Sequence, residues 1–472
     1  MDERCCQHGS GATYTDPAAA SLKMGGMAAW ATGRNLRIAQ ICSTSSAASA
    51  GSDTATGGYA RIVTQYLDVP GEILCIAVRP DGTRFVCTAS AVFAVSQRPD
   101  TTFTAWLCAG DPLETGFQDG EGTDARFNGP RGITVDGGGN MIIADTNNNV
   151  IRSCKITHAL HHDDAAVYTV STLAGPSPLG HAWVNQHAGF ENGMCAEARF
   201  CSPWGIIVNA EGIVFISDRL NHCLRKLTPA GVVSTLADLG RKKGGFVDGE
   251  GSAARFNHPC GLALDIHGNI IVADAGNARI RRVTVDKGIV TSVAGCGEYP
   301  RRCADGEAAT ACFNNPQSIA VDGHNNIYVA DTLNHRIRVI SGADSRVSTL
   351  AGCPEAGCRD GTGAAALLNL PWSLAIDECG RVLVAEQNHA CVRIVYTDLP
   401  WNMARILYIG LLKSDYLHAA SSRREGEGVV EGLAGTCAGG QCVFGLLPVE
   451  GGKGLVCPIL TRIIEMLAPK LI

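Results

Sequence analysis

The chain has 472 residues, of which 18% are charged, and a formal net charge of −6. This mild acidity argues against a protein built mainly to hold nucleic acid, because such domains usually carry a basic surface. Hydrophobic residues make up 46% of the chain, enough for a large core, yet the sequence contains no run of about 18 apolar residues that would span a membrane. The 56 glycines exceed the usual share of about 7% and predict many turns.

The 21 cysteines are scattered along the chain and lack the paired C-x2-C spacing of a zinc site. The N-terminal residues show no basic segment followed by an apolar stretch, so no secretory signal is predicted. We therefore expect reduced thiols in a cytoplasmic protein, with no cofactor.

Residues 1–60 are small and polar, with no sustained periodicity. Such a segment buries too little apolar area to offset the entropy of ordering it. We predict a disordered leader over 1–60.

An internal repeat dominates the rest of the sequence, and a repeat of this kind decides the fold class. A sixth, decayed copy precedes five clear ones, since 76–79 matches 319–322. The five clear copies align without gaps over 125–152, 198–225, 254–281, 311–338 and 366–393. Each contains one shared proline: Pro130, Pro203, Pro259, Pro316 and Pro371.

Each copy predicts four short strands separated by turns. In the third clear copy the strands are 261–265, 270–273, one that starts near Ile280, and 289–294. Four antiparallel strands in about 40–55 residues is the period of a propeller blade. The sequence therefore predicts an all-β fold.

The copies resemble the NHL repeat family. The resemblance rests on Pro-x-Gly-[Ile/Leu]-[Ala/Thr/Ile]-[Val/Leu]-Asp, then Ala-Asp-x-x-Asn-x-x-Ile-Arg, then Ser-Thr-Leu-Ala-Gly, and it covers about 61–397. Neither the Gly-His and Trp-Asp pairs of WD repeats nor the Gly-Gly doublet of kelch repeats recurs. The resemblance implies a six-bladed β-propeller of four-stranded blades, which agrees with six copies.

Closure of the ring needs a strand from outside the last copy, because an unpaired sheet edge invites aggregation. The last copy supplies only three strands, at 371–377, 381–386 and 391–397. The segment 61–68 is similar to the fourth strand of the other blades, so we expect it to pair with 391–397. The rival strand is 404–410.

Residues 398–472 follow the repeats and predict a helical tail with a Gly-rich loop. Ile459, Ile463, Met466 and Leu467 stand at helical spacing. The preceding Leu-Pro pair faintly resembles the start of an F-box, which would make the chain a ubiquitin-ligase adaptor; a packing helix is the preferred interpretation.

Several recurring polar residues are interpreted as structural. The Asp of each Asp-x-x-Asn turn is expected to close that turn onto its own backbone, and the arginine that ends each copy to bridge blades. Acidic Gly-rich turns such as 119–122 lack calcium-loop spacing. The turns are Asp145/Asn148, Asp218/Asn221, Asp274/Asn277 and Asp331/Asn334, and the arginines are Arg152, Arg225, Arg281, Arg338 and Arg393.

Catalytic and metal sites are not predicted. His158, His161 and His162 stand near two aspartates, but in an insertion at one hairpin tip. No His or Glu recurs on the inner strands, where a catalytic group would converge. Some propellers similar to this one are lactonases or lyases, so an enzyme stays an alternative.

The links between blades and the loops between second and third strands share one end of a propeller, here named the blade-link face. Trp and Arg on an exposed rim are typical anchors of protein interfaces, although they also suit RNA, as in NHL domains of tripartite-motif proteins. The acidic turns on this face offset its positive charge. We therefore predict a monomeric, non-catalytic scaffold that binds a protein partner, with RNA as the alternative. The candidate residues are Arg131, Trp204, Arg219, His222, Cys260, Arg279, Gln317, His335, Arg336, Trp372 and His389.

Overall fold

The computed structural model describes residues 36–37, 60–67, 69–97, 103–158, 166–176, 188–240, 243–297, 304–387 and 391–397. All of them belong to the first of the two units into which the chain divides, Met1–Ile409. They form six antiparallel sheets. The innermost strand of each sheet contacts the innermost strands of its two neighbours, so the sheets close into a ring. The predicted six-bladed β-propeller is therefore confirmed.

Within each blade the strands run outward from the axis in chain order. Blade 1 holds β3 (Cys75–Val78), β4 (Arg84–Cys87), β5 (Ala91–Gln97) and β6 (Phe103–Gly110). Blade 2 holds β8 (Gly132–Val135), β9 (Met141–Asp145), β10 (Val150–His158) and β11 (Val167–Ala174). Blade 3 holds β13 (Pro203–Val208), β14 (Val214–Asp218), β15 (Cys223–Leu227) and β16 (Val232–Ala237).

Blade 4 holds β18 (Pro259–Leu264), β19 (Ile270–Asp274), β20 (Arg279–Val283) and β21 (Ile289–Ala294). Blade 5 holds β22 (Pro316–Val321), β23 (Ile327–Asp331), β24 (Arg336–Ile340) and β25 (Val347–Gly352). Blade 6 holds β27 (Pro371–Ile376), β28 (Val382–Glu386), β29 (Cys391–Tyr396) and, as its fourth strand, β2 (Arg61–Tyr66).

The ring closes as the sequence predicts. Strand β2 pairs antiparallel with β29, from Arg61 opposite Tyr396 to Tyr66 opposite Cys391. The Thr64 hydroxyl also donates to the Asp360 carboxylate at 2.5 Å, which fixes β2 to the link before its own blade. The rival segment 404–410 lies outside the described residues.

A short fifth strand at the outer edge distinguishes five blades from the predicted four-stranded pattern. Leu36–Arg37 (β1), inside the predicted leader, pairs with β6. The other four come from the links, three of them from the acidic turns, and are β7 (Gly120–Glu121), β12 (Gly193–Met194), β17 (Gly249–Glu250) and β26 (Gly361–Thr362). The acidic turns pair near the start of each outer strand, at the end away from the blade-link face, so they do not lie on that face as the sequence predicted.

The core lies between blades, where each link inserts one fully buried apolar side chain. Phe127, for example, packs with Phe85 of blade 1 and Met141 of blade 2. Burying such a ring contributes about 1.5–3 kcal/mol, so these anchors stabilise the blade contacts. The equivalent side chains elsewhere are Phe200, Phe256, Phe313 and Leu368.

The recurring arginines hold each blade to its own link, which corrects the expectation that they bridge blades. The Arg152 guanidinium donates to Asp145 at 2.8 Å and to Asp119 at 2.7 Å, and to two link carbonyls. Asp145 in turn accepts a hydrogen bond from the backbone N–H of Asn128, 17 residues earlier, so it does not close the turn onto its own backbone. Asp218, Asp274, Asp331 and Glu386 repeat this arrangement.

Two further observations concern cysteines and membranes. Cys296 and Cys312 form a disulfide, which differs from the expectation of reduced thiols throughout. In the ranges that the structure describes, no helix is long and apolar enough to cross a bilayer. The predicted helical tail, the histidine-rich hairpin tip at 159–164, His389 and the leader other than Leu36–Arg37 and Ala60 lie outside those ranges.

Candidate binding site at the axis of the propeller

The residue after each shared proline starts an inner strand, so these residues meet at the axis on the blade-link face. In blade order they are Arg131, Trp204, Cys260, Gln317 and Trp372, and Leu74 takes the aligned position in blade 1, which lacks the proline. Leu74, in the decayed copy, was missed by the sequence interpretation, although aligning 76–79 with 319–322 puts Leu74 opposite Gln317. Arg219, on the loop after β14, lies over the ring of Trp204. We name Arg131, Trp204, Arg219, Cys260, Gln317 and Trp372 the axial cluster.

The axial cluster is more buried than the exposed rim that the sequence predicted. Cys260 is 0%, Gln317 3% and Trp204 9% exposed. Trp204 and Trp372 belong to blades 3 and 6, which lie opposite each other in a ring of six. Their ring centroids are only 5.7 Å apart. The two indoles therefore meet across the axis and narrow the mouth of the channel.

Two guanidinium groups stack on these indoles. The Arg131 guanidinium lies 5.2 Å from the Trp204 ring centroid and 5.0 Å from that of Trp372, and the Arg219 guanidinium lies 4.6 Å from that of Trp204. Cation–π contacts of this kind contribute about 0.5–2 kcal/mol, more when desolvated. They hold both cations at the mouth of the channel.

Four buried polar atoms of the axial cluster have no hydrogen-bond partner among the described residues. They are Arg131 Nη1, Arg219 Nε, Gln317 Oε1 and Trp372 Nε1. Buried polar atoms normally find partners, and most of the other orphaned atoms are Nε atoms of arginines whose terminal nitrogens are paired. Three of the four, those of Arg131, Gln317 and Trp372, belong to residues that line one cavity, and none of the three is an arginine Nε.

The channel below the cluster is narrow because glycines in its walls let the inner strands approach one another closely. Gly132, Gly205 and Gly261 follow the cluster residues, and a Cβ on any of them would lie inside contact distance of the next inner strand. The cavity holds about 60 Å³, room for a few water molecules. No histidine or carboxylate stands among the described residues that line it, so the cavity offers no general base.

Arg279 and Arg336, two other candidate residues, make their contacts outside the axial cluster. The Arg279 guanidinium lies 3.9 Å from the Phe246 ring centroid and donates to the Cys296 carbonyl at 2.8 Å. Arg336 donates to the Asn334 carbonyl at 3.2 Å. His389 cannot be placed, because it lies outside the described residues.

His222 and His335 accept backbone hydrogen bonds at Nδ1. The sequence did not predict this structural role. His222 accepts the backbone N–H of His258 at 3.0 Å, and His335 accepts that of Leu370 at 3.1 Å. Asn149 does the same for Ser202 with its amide oxygen at 2.7 Å. These residues hold the link of the next blade in place.

His258 is a neighbour that the sequence analysis missed. Its ring packs edge-on against that of His222, with centroids 4.5 Å apart. Burial, then repulsion from His222 and Arg219, lowers the pKa of His258 to about 4. Both histidines are thus neutral at pH 7, and the positive charge of this region belongs to the arginines.

A possible metal-binding trio lies away from the axis, at the outer part of blade 6. Cys358, Glu386 and Cys391 place one ligand atom each within 4.8 Å of one another. The Arg393 guanidinium, however, lies 3.3 Å from the Glu386 carboxylate and 3.7 Å from the Cys358 sulfur. The Arg393 guanidinium therefore supplies the positive charge that a metal ion would otherwise bring to these ligands.

Comparisons with known proteins agree with the repeat assignment. A family profile of the NHL repeat matches residues 313–340. The chain is 29% identical over 303 residues to Protein SUPPRESSOR OF QUENCHING 1, chloroplastic, of Arabidopsis thaliana, which covers 61% of this chain and 27% of that protein. It is 27% identical over 311 residues to NHL repeat-containing protein 2 of Bos taurus, covering 59% and 40%.

The chain thus spans less than half the length of each of these relatives. Among solved structures, a streptogramin B lyase aligns with a TM-score of 0.43 and 12% identity, over 72% of this chain and 98% of that one.

Proposed function

Since the chain is a six-bladed NHL-repeat β-propeller, we propose that it acts as a non-catalytic scaffold and binds a protein partner through the blade-link face. A cytoplasmic location stays part of this proposal. The cavity at the axis supports a binding role because its lining offers no general base.

The observation that carries this proposal is a set of exposed leucines on the blade-link face. Leu220 and Leu333 are 43% and 48% exposed, on the loops after β14 and β23. Leu113 and Leu239 follow the outer strands of blades 1 and 3, and are also exposed. All four stand where strands end on this face. Exposed apolar side chains grouped around a polar centre are typical of protein interfaces.

Capture of partners from a lysate by the tagged full chain tests the proposal. Leu220→Asp combined with Leu333→Asp should reduce capture by about 30-fold, corresponding to about 2 kcal/mol. Because both side chains are exposed, the melting temperature should stay unchanged. The control is Ile266→Asp, since Ile266 is 57% exposed on the hairpin between β18 and β19, at the opposite face.

Nuclease treatment of the lysate distinguishes a protein partner from RNA. Capture that survives nuclease and depends on the two leucines supports a protein partner. Capture that disappears with nuclease and falls steeply with salt would instead indicate RNA. Equal capture by the leucine variant and the wild type would contradict docking on this face.

A further inference from the structure

The axial cluster carries positive charge without a counter-ion. The side chains of Arg131 and Arg219 form no ion pair among the described residues, whereas each of the five recurring arginines pairs with at least one carboxylate. Arg131 and Arg219 are only half-buried, but a cation partly withdrawn from water is normally paired with an anion. The axis therefore presents two cations that no carboxylate of the described residues neutralises.

The surroundings of Arg131 give the same indication. Burial lowers the pKa of Arg131, and the nearby Arg219 lowers it further, against opposing effects of Cys75 and Glu72. Glu72 is exposed, and no ion pair joins it to Arg131 among the described residues. The Arg131 Nη1 atom is fully buried without an acceptor. An incoming anion would therefore meet a donor that has no acceptor among the described residues.

The unpaired polar atoms of the axial cluster indicate what kind of ligand would bind there. Arg131 Nη1, Arg219 Nε and Trp372 Nε1 are donors. Gln317 presents its amide oxygen, but rotation of the terminal amide by half a turn would present N–H groups in the same space. The set would then consist of donors only. Arg131, Gln317 and Trp372 line a cavity of about 60 Å³, and Arg219 stacks on Trp204 of the same lining. A planar anion at the end of a short side chain fits this arrangement.

We propose that the axial cluster binds a carboxylate, supplied by an aspartate or glutamate side chain of the protein partner. The assignment rests on the proposed docking function and names the chemistry of its central contact. A carboxylate is planar, accepts hydrogen bonds on both oxygens and matches the guanidinium fork. A phosphodiester is flanked by a ribose on each side, so a nucleic-acid backbone cannot enter a mouth narrowed by Trp204 and Trp372.

Titration of the purified full chain with N-acetyl-glutamate methylamide, a capped glutamate, tests the assignment. Trp204 and Trp372 line the site, so tryptophan fluorescence should change saturably on binding. The glutamine analogue has the same shape without the charge and should give no saturable change. Arg131→Gln should weaken binding at least tenfold, whereas Arg346→Gln, at an exposed loop of blade 5, should leave it unchanged. An equal response to the glutamine analogue, or a stronger response to inorganic phosphate, would overturn the assignment.

A second variant keeps the test decisive if Arg131→Gln does not fold. Trp372→Phe removes the Nε1 donor while keeping a ring against Arg131, and it should weaken binding of the capped glutamate severalfold. Unchanged binding by this variant counts against the site. If capped glutamate does not bind while the leucine variant still loses capture, the carboxylate assignment fails alone. If it binds while capture ignores the leucines, the docking proposal fails alone.

Discussion

At the scale of single residues, the neighbours of an arginine decide its role. Arg281 is fully buried and bonded to Asp274 and to two link carbonyls, so its charge is balanced inside the blade. Arg131 and Arg219 lie at the axis with aromatic rings and no carboxylate. The first arrangement stabilises the fold, and the second leaves donors available to a ligand.

The sequence predicted the placement of these residues but not their burial. Repetition identified the arginines of the blades as structural, and the shared prolines placed Arg131, Trp204 and Trp372 on one face. The sequence could not show that Trp204 and Trp372 meet, because their contact depends on how closely the inner strands approach across the ring. For the same reason, truncating both tryptophans should lower the melting temperature.

The stacked histidines predict a loss of stability in acid. Burial lowers the pKa of His222 and lowers that of His258 to about 4, whereas histidine in an unfolded chain titrates near 6.5. The unfolded state therefore binds more protons between about pH 6.5 and 4, so the stability contributed above pH 6.5 is lost as the pH falls through this window. His222 is buried but His258 is only half-buried, so screening by water should limit the loss to about 1–2 kcal/mol.

Replacing both histidines by asparagine measures how much they contribute to this loss of stability. Asparagine suits both positions, because Asn149 is the equivalent of His222 and Asn315 the equivalent of His258 in other blades. Urea unfolding at pH 7 and pH 4.5 should show that His222→Asn with His258→Asn loses less stability on acidification than the wild type. Burial raises the pKa of Asp218 and of Asp274 to about 6, which favours the folded state in acid. This effect is the same in the wild type and in the double variant, so it cancels when their losses of stability are compared. An identical loss in both proteins would show that the histidines are not involved.

At the scale of strands, periodicity predicted the regular elements well. The strand expected at 289–294 is observed as Ile289–Ala294, and the strand expected near Ile280 begins at Arg279. The two-residue fifth strands were not predicted, because a pair of residues has no period. Their pairing depends on the path of the link around the outer strand, which only the folded chain determines.

Glycines let the inner strands of neighbouring blades lie close together, so replacing one of them should lower the stability of the protein. Gly205 has an ordinary backbone conformation, yet a Cβ there would lie against the carbonyl oxygen of Cys260 in the next blade. Gly205→Ala should therefore push two inner strands apart and lower the free energy of unfolding by about 1–3 kcal/mol.

Gly323→Ala is the matched control, because nothing lies within 4 Å of a Cβ at that position. Both variants change the entropy of the unfolded chain equally, so their difference isolates the close approach of the strands. Chemical denaturation of the two variants should separate them clearly. Equal stability would mean that the inner strands can move apart without cost.

At the scale of the whole molecule, one strand joins the two ends of the ring. Strand β2 pairs with β29 over six residue positions, and Ile62 is fully buried between blades 5 and 6. Leu67 and Val69, which follow β2, are buried between blades 6 and 1. The sequence predicted this closure because the last copy lacked a fourth strand and 61–68 carried the matching pattern.

Truncation tests the closure directly. Deleting 1–58 keeps Ala60, whose carbonyl accepts the backbone N–H of Gly363, and all of β2. This product should remain monomeric and melt cooperatively. Deleting 1–69 removes β2 with Leu67 and Val69, and exposes the edge of β29 for pairing with other chains. Size-exclusion chromatography and thermal melting should then show aggregated or poorly folded protein. A monomeric, cooperatively melting product of the longer deletion would mean that the ring does not depend on β2 for closure.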